Sequence, residues 1–568
     1  MPLFDFDVYL CRFIEDYMIV EFLLILCLFV SFTGWGAWTQ MLLRNKTDSF
    51  SLAIILGLSF FGIWVCLLSF FIPLDRYVEV VLLIVSVIPF FFKKLRTYVV
   101  PFPKALLKST GFWLFCIIIV LAGAYYPFRP DHFYYYEPTL SWLNQYGLIV
   151  GVANIDWSLG QMSIFHLIQA GLDQTVDPFQ RINVFITVLF LVYLFERKSY
   201  LLLFVIPLCF LFMQAPSPDV VIFLFSLIVV NELCFNYQAG NYSSLFLISA
   251  FTFVIKPVAF WLPAWTWVVG FFLHKEKVKD YRIYLIPGVL IVLFLIKNVI
   301  ASSTLFYPLT FTKLPTHWLP DLRILEISNQ KASVFMFSKY FTIDQINAMS
   351  FSRKIYYWLS INRLQTIVNC FMVITLVVFG VFSFLKKRFM YLSLWILIVI
   401  KSILIFSFSG QFRFMLDGIF PLLFIFFYPV RRIGQTKIFV AGLSLFLLFL
   451  AFISYPPLLK HSIPNFRLTR WMRGFTKQSL WVPQNYVLKK YTEEKLGNLD
   501  FYVSSYFVDY DTPPPALKYG LLKQYHALGI FPQMNDSSNI HKGFYMKLLT
   551  PEEKEELGEI IKTVFPDG

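Results

Sequence analysis

The chain has 568 residues, 58% hydrophobic and 20% aromatic but only 14% charged, whereas soluble domains carry about 25% charged residues. That balance excludes an ordinary soluble enzyme and describes an all-α polytopic membrane protein. A net charge of +14 would suggest nucleic acid for a soluble chain, but here the Lys and Arg fall in short clusters between apolar runs, so they read as anchoring loops and no nucleic-acid partner is expected.

The N-terminus, MPLFDFDVYLCRFIEDY, is acidic and has no basic stretch before a cleavage site, so no cleaved signal peptide is expected. Apolar runs then lie near 18–43, 51–73, 78–92, 112–127, 182–195, 200–214, 218–236, 241–255, 258–273, 283–301, 366–385, 389–409, 414–429 and 438–455, which predicts about 14 transmembrane helices. Several are short against the roughly 20 residues needed to cross the hydrocarbon core. With all of them counted as spans, the basic clusters at 44–46, 93–108, 197–198, 275–282, 386–388 and 431–437 share one side, the cytoplasm by the positive-inside rule. That parity requires a break at Lys256-Pro257. The chain divides into 1–111, with three helices; a core at 112–455 carrying long outer loops at 128–181 and 304–365; and a soluble-looking extracytoplasmic tail at 456–568.

The first outer loop is expected to form two helices lying on the membrane plane. Glu137-Pro138 can open one that stops at Gly147, and a Ser158-x-x-Gln161 capping box can open another that ends at Gly171. Between them GLIVGVANIDW has two glycines, which would let backbone pass close to a ligand. The second loop has no sharp motif. The tail predicts a small α+β segment, with FYVSSYFV as a strand and a last helix opened by Thr550, Pro551 and Glu553. The seven cysteines sit almost all inside apolar runs, without CxxC spacing, so neither a disulfide framework nor a zinc site is expected.

Reactive groups collect in the first loop. Asp131 follows the fourth apolar run and would hang at the outer mouth of a membrane helix, where a carboxylate can take a proton from an attacking hydroxyl. Glu137 is the reserve carboxylate and His132 a proton shuttle; the plainer readings are a helix-start residue and a satisfied polar side chain. Lys256, Lys297 and Lys401 lie in outward halves of apolar runs, and Arg413 follows the Gly410-Gln411 break. Charges at membrane depth cost roughly 2.5–3.5 kcal/mol each on insertion scales and are kept for a partner. Four on one side, with Arg129, want an anion such as a polyprenyl phosphate. Asn154, Asp156, Trp157, Gln161, His166 and Asp219 are candidate sugar or acceptor contacts, although turn formation, interfacial anchoring and helix capping explain most of them more simply. No metal-ligand spacing decides whether a divalent ion such as Mg or Mn is needed.

A membrane helix, a carboxylate at its outer end and a long outer loop resemble the GT-C superfamily of integral membrane glycosyltransferases. More narrowly, DHFYYYEPTLSWLNQYGLIVGVANIDWSLGQMSIFHLIQA, SPDVVIFLF, IKP, KNVIASSTLFYPL and GQFRF resemble a group of bacterial multispanning proteins with a YG-V-GLAN loop motif. The loop carries Asp131 alone where GT-C enzymes often have two close acids, and ANIDW lacks the usual Arg after AN. The resemblance implies transfer of a sugar from a polyprenyl-phosphate donor to a glycan or glycoconjugate acceptor, at the outer face of a bacterial inner membrane. The alternatives are an O-antigen or capsule-type polysaccharide polymerase, which would depend on Arg323, Arg353 and Arg363, and a transporter or flippase for lipid-linked sugars.

Overall fold

The computed structural model describes residues 18–334, 337, 340–361, 363–454 and 483–565. Among the described residues the apolar runs fold mainly as helix, the form that satisfies backbone polar groups within one segment, while the run at 200–214 ends in turns after Cys209. Among the described residues six helices are long and apolar enough to cross a membrane: Glu21–Leu43, Phe50–Ser69, Pro218–Phe235, Tyr281–Ser302, Gln365–Lys386 and Phe389–Phe408. Most of the other runs make shorter apolar helices, among them Thr110–Gly123, Ile182–Glu196 and Tyr242–Ile255.

The predicted break at Lys256-Pro257 is present. Helix Tyr242–Ile255 ends at Lys256, a tight turn covers Pro257–Ala259, and helix Trp261–Leu273 leads away. The fixed φ of proline and its missing N–H end the first helix there. The first three helices are continuous with the main core. The Glu196 carboxylate accepts from Phe50 N at 2.7 Å and Ser51 N at 3.2 Å, and Gly62 lets helix Phe50–Ser69 lie against Ile164 and Ile168.

The first loop departs from expectation in two places. Helix Glu137–Tyr146 forms as predicted, with Gly147 at φ 73° as its stop. The second helix, Ile164–Ala170, starts five residues later than expected: its capping box is Ser163 with His166, while Trp157–Gln161 is a 3-10 turn capped by Asp156. Nor does it lie on a surface, since every residue from Ile164 to Ala170 is buried. Gly147 and Gly151 do bring backbone into close approach, but to Ile72 and Phe544 of this chain; a Cβ on Gly151 would fall 2.3 Å from the Phe544 carbonyl oxygen.

The tail is the expected small α+β unit: hairpin Tyr491–Leu496 with Leu499–Ser504, helix Tyr519–Leu528, antiparallel strands Ile530–Met534 and Phe544–Leu548, and helix Pro551–Val564 behind the Thr550–Glu553 capping box. The predicted boundary at 455/456 lies outside the described residues. The unit is bolted to the first loop. Buried Arg181 donates to Gly123 O, Gln214 O and, in the tail, Gln484 O at 2.7 Å, and Tyr525 Oη donates toward Asn154 O and Ile155 O at 2.9 and 3.0 Å.

Candidate functional site

Four segments far apart in sequence end at one point. Asp131 stands between the end of helix Thr110–Gly123 and a π-helical turn at His132–Tyr136. Asp219 sits in the first turn of helix Pro218–Phe235, Lys256 at the break between two helices, and Arg413 on the turn Phe412–Phe414. Arg413 Nη1 donates to Asp131 Oδ2 at 2.6 Å and lies 3.8 Å from Asp219 Oδ2. Arg129 Nη2 is 3.8 Å from Asp131 and 4.0 Å from Asp219, while Lys256 pairs with Asp219 Oδ1. The Phe414 ring lies under both Lys256 and Arg413, 4.5 and 5.1 Å from its centroid, and Phe212 lies under Arg129 at 4.4 Å. Aromatic faces attract cations most where water is scarce.

Three cations thus face two carboxylates, which leaves the cluster one positive charge in excess. Burial pushes the Asp131 carboxyl up, but the Arg413 and Arg129 guanidinium groups outweigh that and hold it below its ordinary range. Asp219, its side chain 5% exposed, stands behind the cations as their second carboxylate partner.

The cluster forms one end of a cavity of about 1440 Å³. Arg129, Asp131, Lys256 and Arg413 line it, together with apolar side chains such as Leu211, Phe260, Leu404 and Phe408 and a polar aromatic stretch that includes Trp157, Gln161 and Tyr307. Leu404 also lines it and is 54% exposed on helix Phe389–Phe408. The space therefore joins a charged head to an apolar slot, the shape that suits a molecule with both.

Several predicted residues lie elsewhere. Lys401 is a correction: it pairs with Asp417 deep in the helices, both 1% exposed, and Asp417 also accepts from Trp261 Nε1 at 2.9 Å. Unlike Lys256 and Arg413, Lys401 does not line the cavity, so it offers nothing to a phosphate there. Lys297 is fully buried just behind the lining and spends its ammonium on Met162 O and Asn298 Oδ1, at 2.5 and 2.6 Å. His132 is fully buried against Phe133 and Tyr510, and burial lowers its pKa to about 3, which unsuits it to shuttle protons. Glu137 accepts from the Asp511 backbone N–H at 3.1 Å and anchors the tail.

Among the proposed sugar contacts, Trp157 and Gln161 reach the cavity. Asn154 instead donates to Gly151 O, Trp318 O and Phe544 O, and Asp156 pairs with Lys518 Nζ at 2.5 Å while capping Ser158 N. His166 is consumed by its capping box and lowered to about 3 by burial. Arg323 and Arg353 lie outside the cavity, the first paired with Asp321 and the second over the Tyr357 ring. The side chain of Arg363 lies outside the described residues. Among the described residues no group of three or more His, Cys, Asp or Glu is placed to hold a metal ion.

Sequence reasoning missed Asp417, Arg181 and Lys518. Lys518 lines the cavity from the tail and joins Asp156 to Asp509. Its one available signal was a lysine directly after the proline-rich stretch PPPAL.

A family model described as a domain of unknown function, DUF8201, matches residues 18–420. No curated protein matches the chain, and no solved structure does.

Proposed function

The chain belongs to the DUF8201 family, whose description assigns no activity, and from its site we propose a membrane glycosyltransferase that moves a sugar from a polyprenyl-phosphate donor to a glycan or glycoconjugate acceptor. The observation that carries this reading is the convergence of Arg129, Lys256 and Arg413 on Asp131 at the charged end of a largely apolar cavity. The cations receive the donor phosphate, and the apolar slot receives its hydrocarbon. Arg413 has the planar fork suited to phosphate oxygens.

In the reaction the acceptor hydroxyl attacks the anomeric carbon, with inversion, as the bond from that carbon to the phosphate oxygen breaks. The polyprenyl phosphate leaves as an anion held by Arg129, Lys256 and Arg413, and Asp131 takes the hydroxyl proton. Preplaced charges that stabilise the leaving anion supply most of the rate enhancement. As Arg413 turns to the phosphate it releases Asp131, whose basicity rises when the base is needed. With about 14 spans, the basic clusters face the cytoplasm and the cavity faces the outside of a bacterial inner membrane.

The test is reconstitution of the full chain with undecaprenyl-phosphate-linked sugars and a membrane glycan extract from the source cells. Asp131→Asn should abolish product while leaving expression and membrane insertion intact. Product formed at the normal rate by this variant excludes the proposed base.

A further inference from the structure

Another part of the cavity lining is built by the first loop, the second loop and the tail. Trp157 and Gln161 come from the first loop, Tyr307 from the second, and Tyr519 and Gln524 from tail helix Tyr519–Leu528. Gln161 is exposed where it lines the space. Gln524 carries a buried side-chain oxygen without a hydrogen-bond partner, and such an atom costs about 1–3 kcal/mol unless something donates to it.

Gln524 is also held in place. At the start of its helix, Lys518 pairs with Asp156 and Asp509; directly after Gln524, Tyr525 donates to the Asn154 and Ile155 carbonyls. Tyr307 is fixed in the same way, because its ring lies against Gly160, where a Cβ would come within 2.8 Å of ring atoms. Rigid aromatic rings beside amides are the chemistry of carbohydrate recognition: rings cover the C–H faces of a sugar, and amides exchange hydrogen bonds with its hydroxyls.

We infer that Tyr307, Gln161 and Gln524 form a carbohydrate subsite for the acceptor, completed by the tail, which makes the tail part of the site. This rests on the glycosyl-transfer reading for the word acceptor, but the sugar-binding chemistry stands on the cavity itself.

The experiment uses the full chain in nanodiscs with two probes: an array of defined bacterial oligosaccharides, and undecaprenyl phosphate read by native mass spectrometry. Wild-type protein should retain a subset of the glycans. Gln524→Met, close to isosteric but without the acceptor atom, and Tyr307→Leu should each reduce that retention about 3- to 10-fold, the range for a lost neutral contact, and leave the lipid signal unchanged. Lys256→Met should do the reverse. Absence of any glycan retained by wild type, or unchanged retention in Gln524→Met, overturns the subsite. Glycan retention that depends on Gln524 with no lipid phosphate bound keeps the carbohydrate subsite and sinks the transferase reading.

Discussion

Arg413 donates to Asp131 at 2.6 Å across 282 positions of sequence. The pair joins the residue proposed to grip the leaving phosphate to the residue proposed to take the proton. While they hold each other neither is free for its task, and an anion entering the cavity separates them by offering Arg413 a better partner. The same pairing keeps the resting charge count of the cavity low, which lowers the cost of holding these groups where water is scarce.

Removing Arg413 should therefore change the pH dependence of transfer as well as its rate. The guanidinium holds the Asp131 carboxyl down against the pull of burial, so in Arg413→Gln the carboxyl titrates higher. Transfer requires it ionised, and the acidic limb of kcat/KM for the donor, which reports the protein before donor separates the pair, should move up by roughly one pH unit or more. Arg413→Lys keeps the charge and should move it less, while still weakening lipid-phosphate binding. An unmoved acidic limb in Arg413→Gln would show that Asp131 is not the titrating base.

Lys401 and Asp417 provide the opposite case, a matched pair with no ligand to serve. Lys401→Met strands a buried carboxylate and should cost about 3–5 kcal/mol, seen as a large drop in the unfolding midpoint in detergent. Lys401→Met with Asp417→Leu removes both charges and should recover most of that loss, apart from the bond given up by Trp261. Transfer should survive in the double variant. If it vanishes there while the protein remains as stable as wild type, Lys401 belongs to the site after all.

What the sequence disclosed follows from what each signal depends on. Helices, the Lys256-Pro257 break, the Gly147 stop and the Thr550 capping box are local matters of periodicity, proline and glycine geometry, and caps, and they could be read directly. The cations that need partners were also legible, because charge in an apolar run is conspicuous. Which partner each one finds was not. Lys256 meets Asp219 and Lys401 meets Asp417 through tertiary packing that no spacing encodes, so Lys401 was grouped with Lys256 on depth alone. The loop acids and amides misled in the same way: Asn154, Asp156 and Glu137 looked available for a substrate because the tail that occupies them arrives from more than 350 residues away.

Glu137 makes a stability prediction with a definite sign. Burial, together with nearby Asp511 and Asp509, raises its carboxyl from an ordinary 4.5 to about 8, despite the bond accepted from Asp511 N–H. Between those values the folded chain holds a proton that the unfolded chain has lost, so this group's contribution is full below about 4.5 and declines as pH rises toward 8. The slope cannot exceed ~1.4 kcal/mol per pH unit for one proton. Glu137→Gln, which still accepts from Asp511, should match wild type near pH 5 and exceed it in thermal midpoint near pH 8. Parallel curves for the two proteins would place the proton elsewhere.

Lys518 decides whether the tail is a fixed part of the cavity. Its ammonium lies 2.5 Å from Asp156 and 3.7 Å from Asp509, and it donates to Tyr134 O at 2.9 Å, so one side chain ties the tail to two separate points of the first loop. Burial already raises the Asp509 carboxyl to about 7, with Lys518 as its main counterweight. Lys518→Met leaves two buried acids without a cation, a loss on the order of 3–5 kcal/mol that falls on the segment around helix Tyr519–Leu528. That segment should loosen from the loop while Arg181 still holds Gln484 and the other helices stay folded, seen as new protease cleavage between 505 and 530 with an unchanged helical circular-dichroism signal. Adding Asp156→Asn keeps an acceptor for Ser158 N, removes one stranded charge and should restore most of the protection. Because Gln524 lies on the helix that begins directly after Lys518, glycan retention should fall and recover together with protease resistance; cleavage that appears without loss of retention would separate the tail from the cavity.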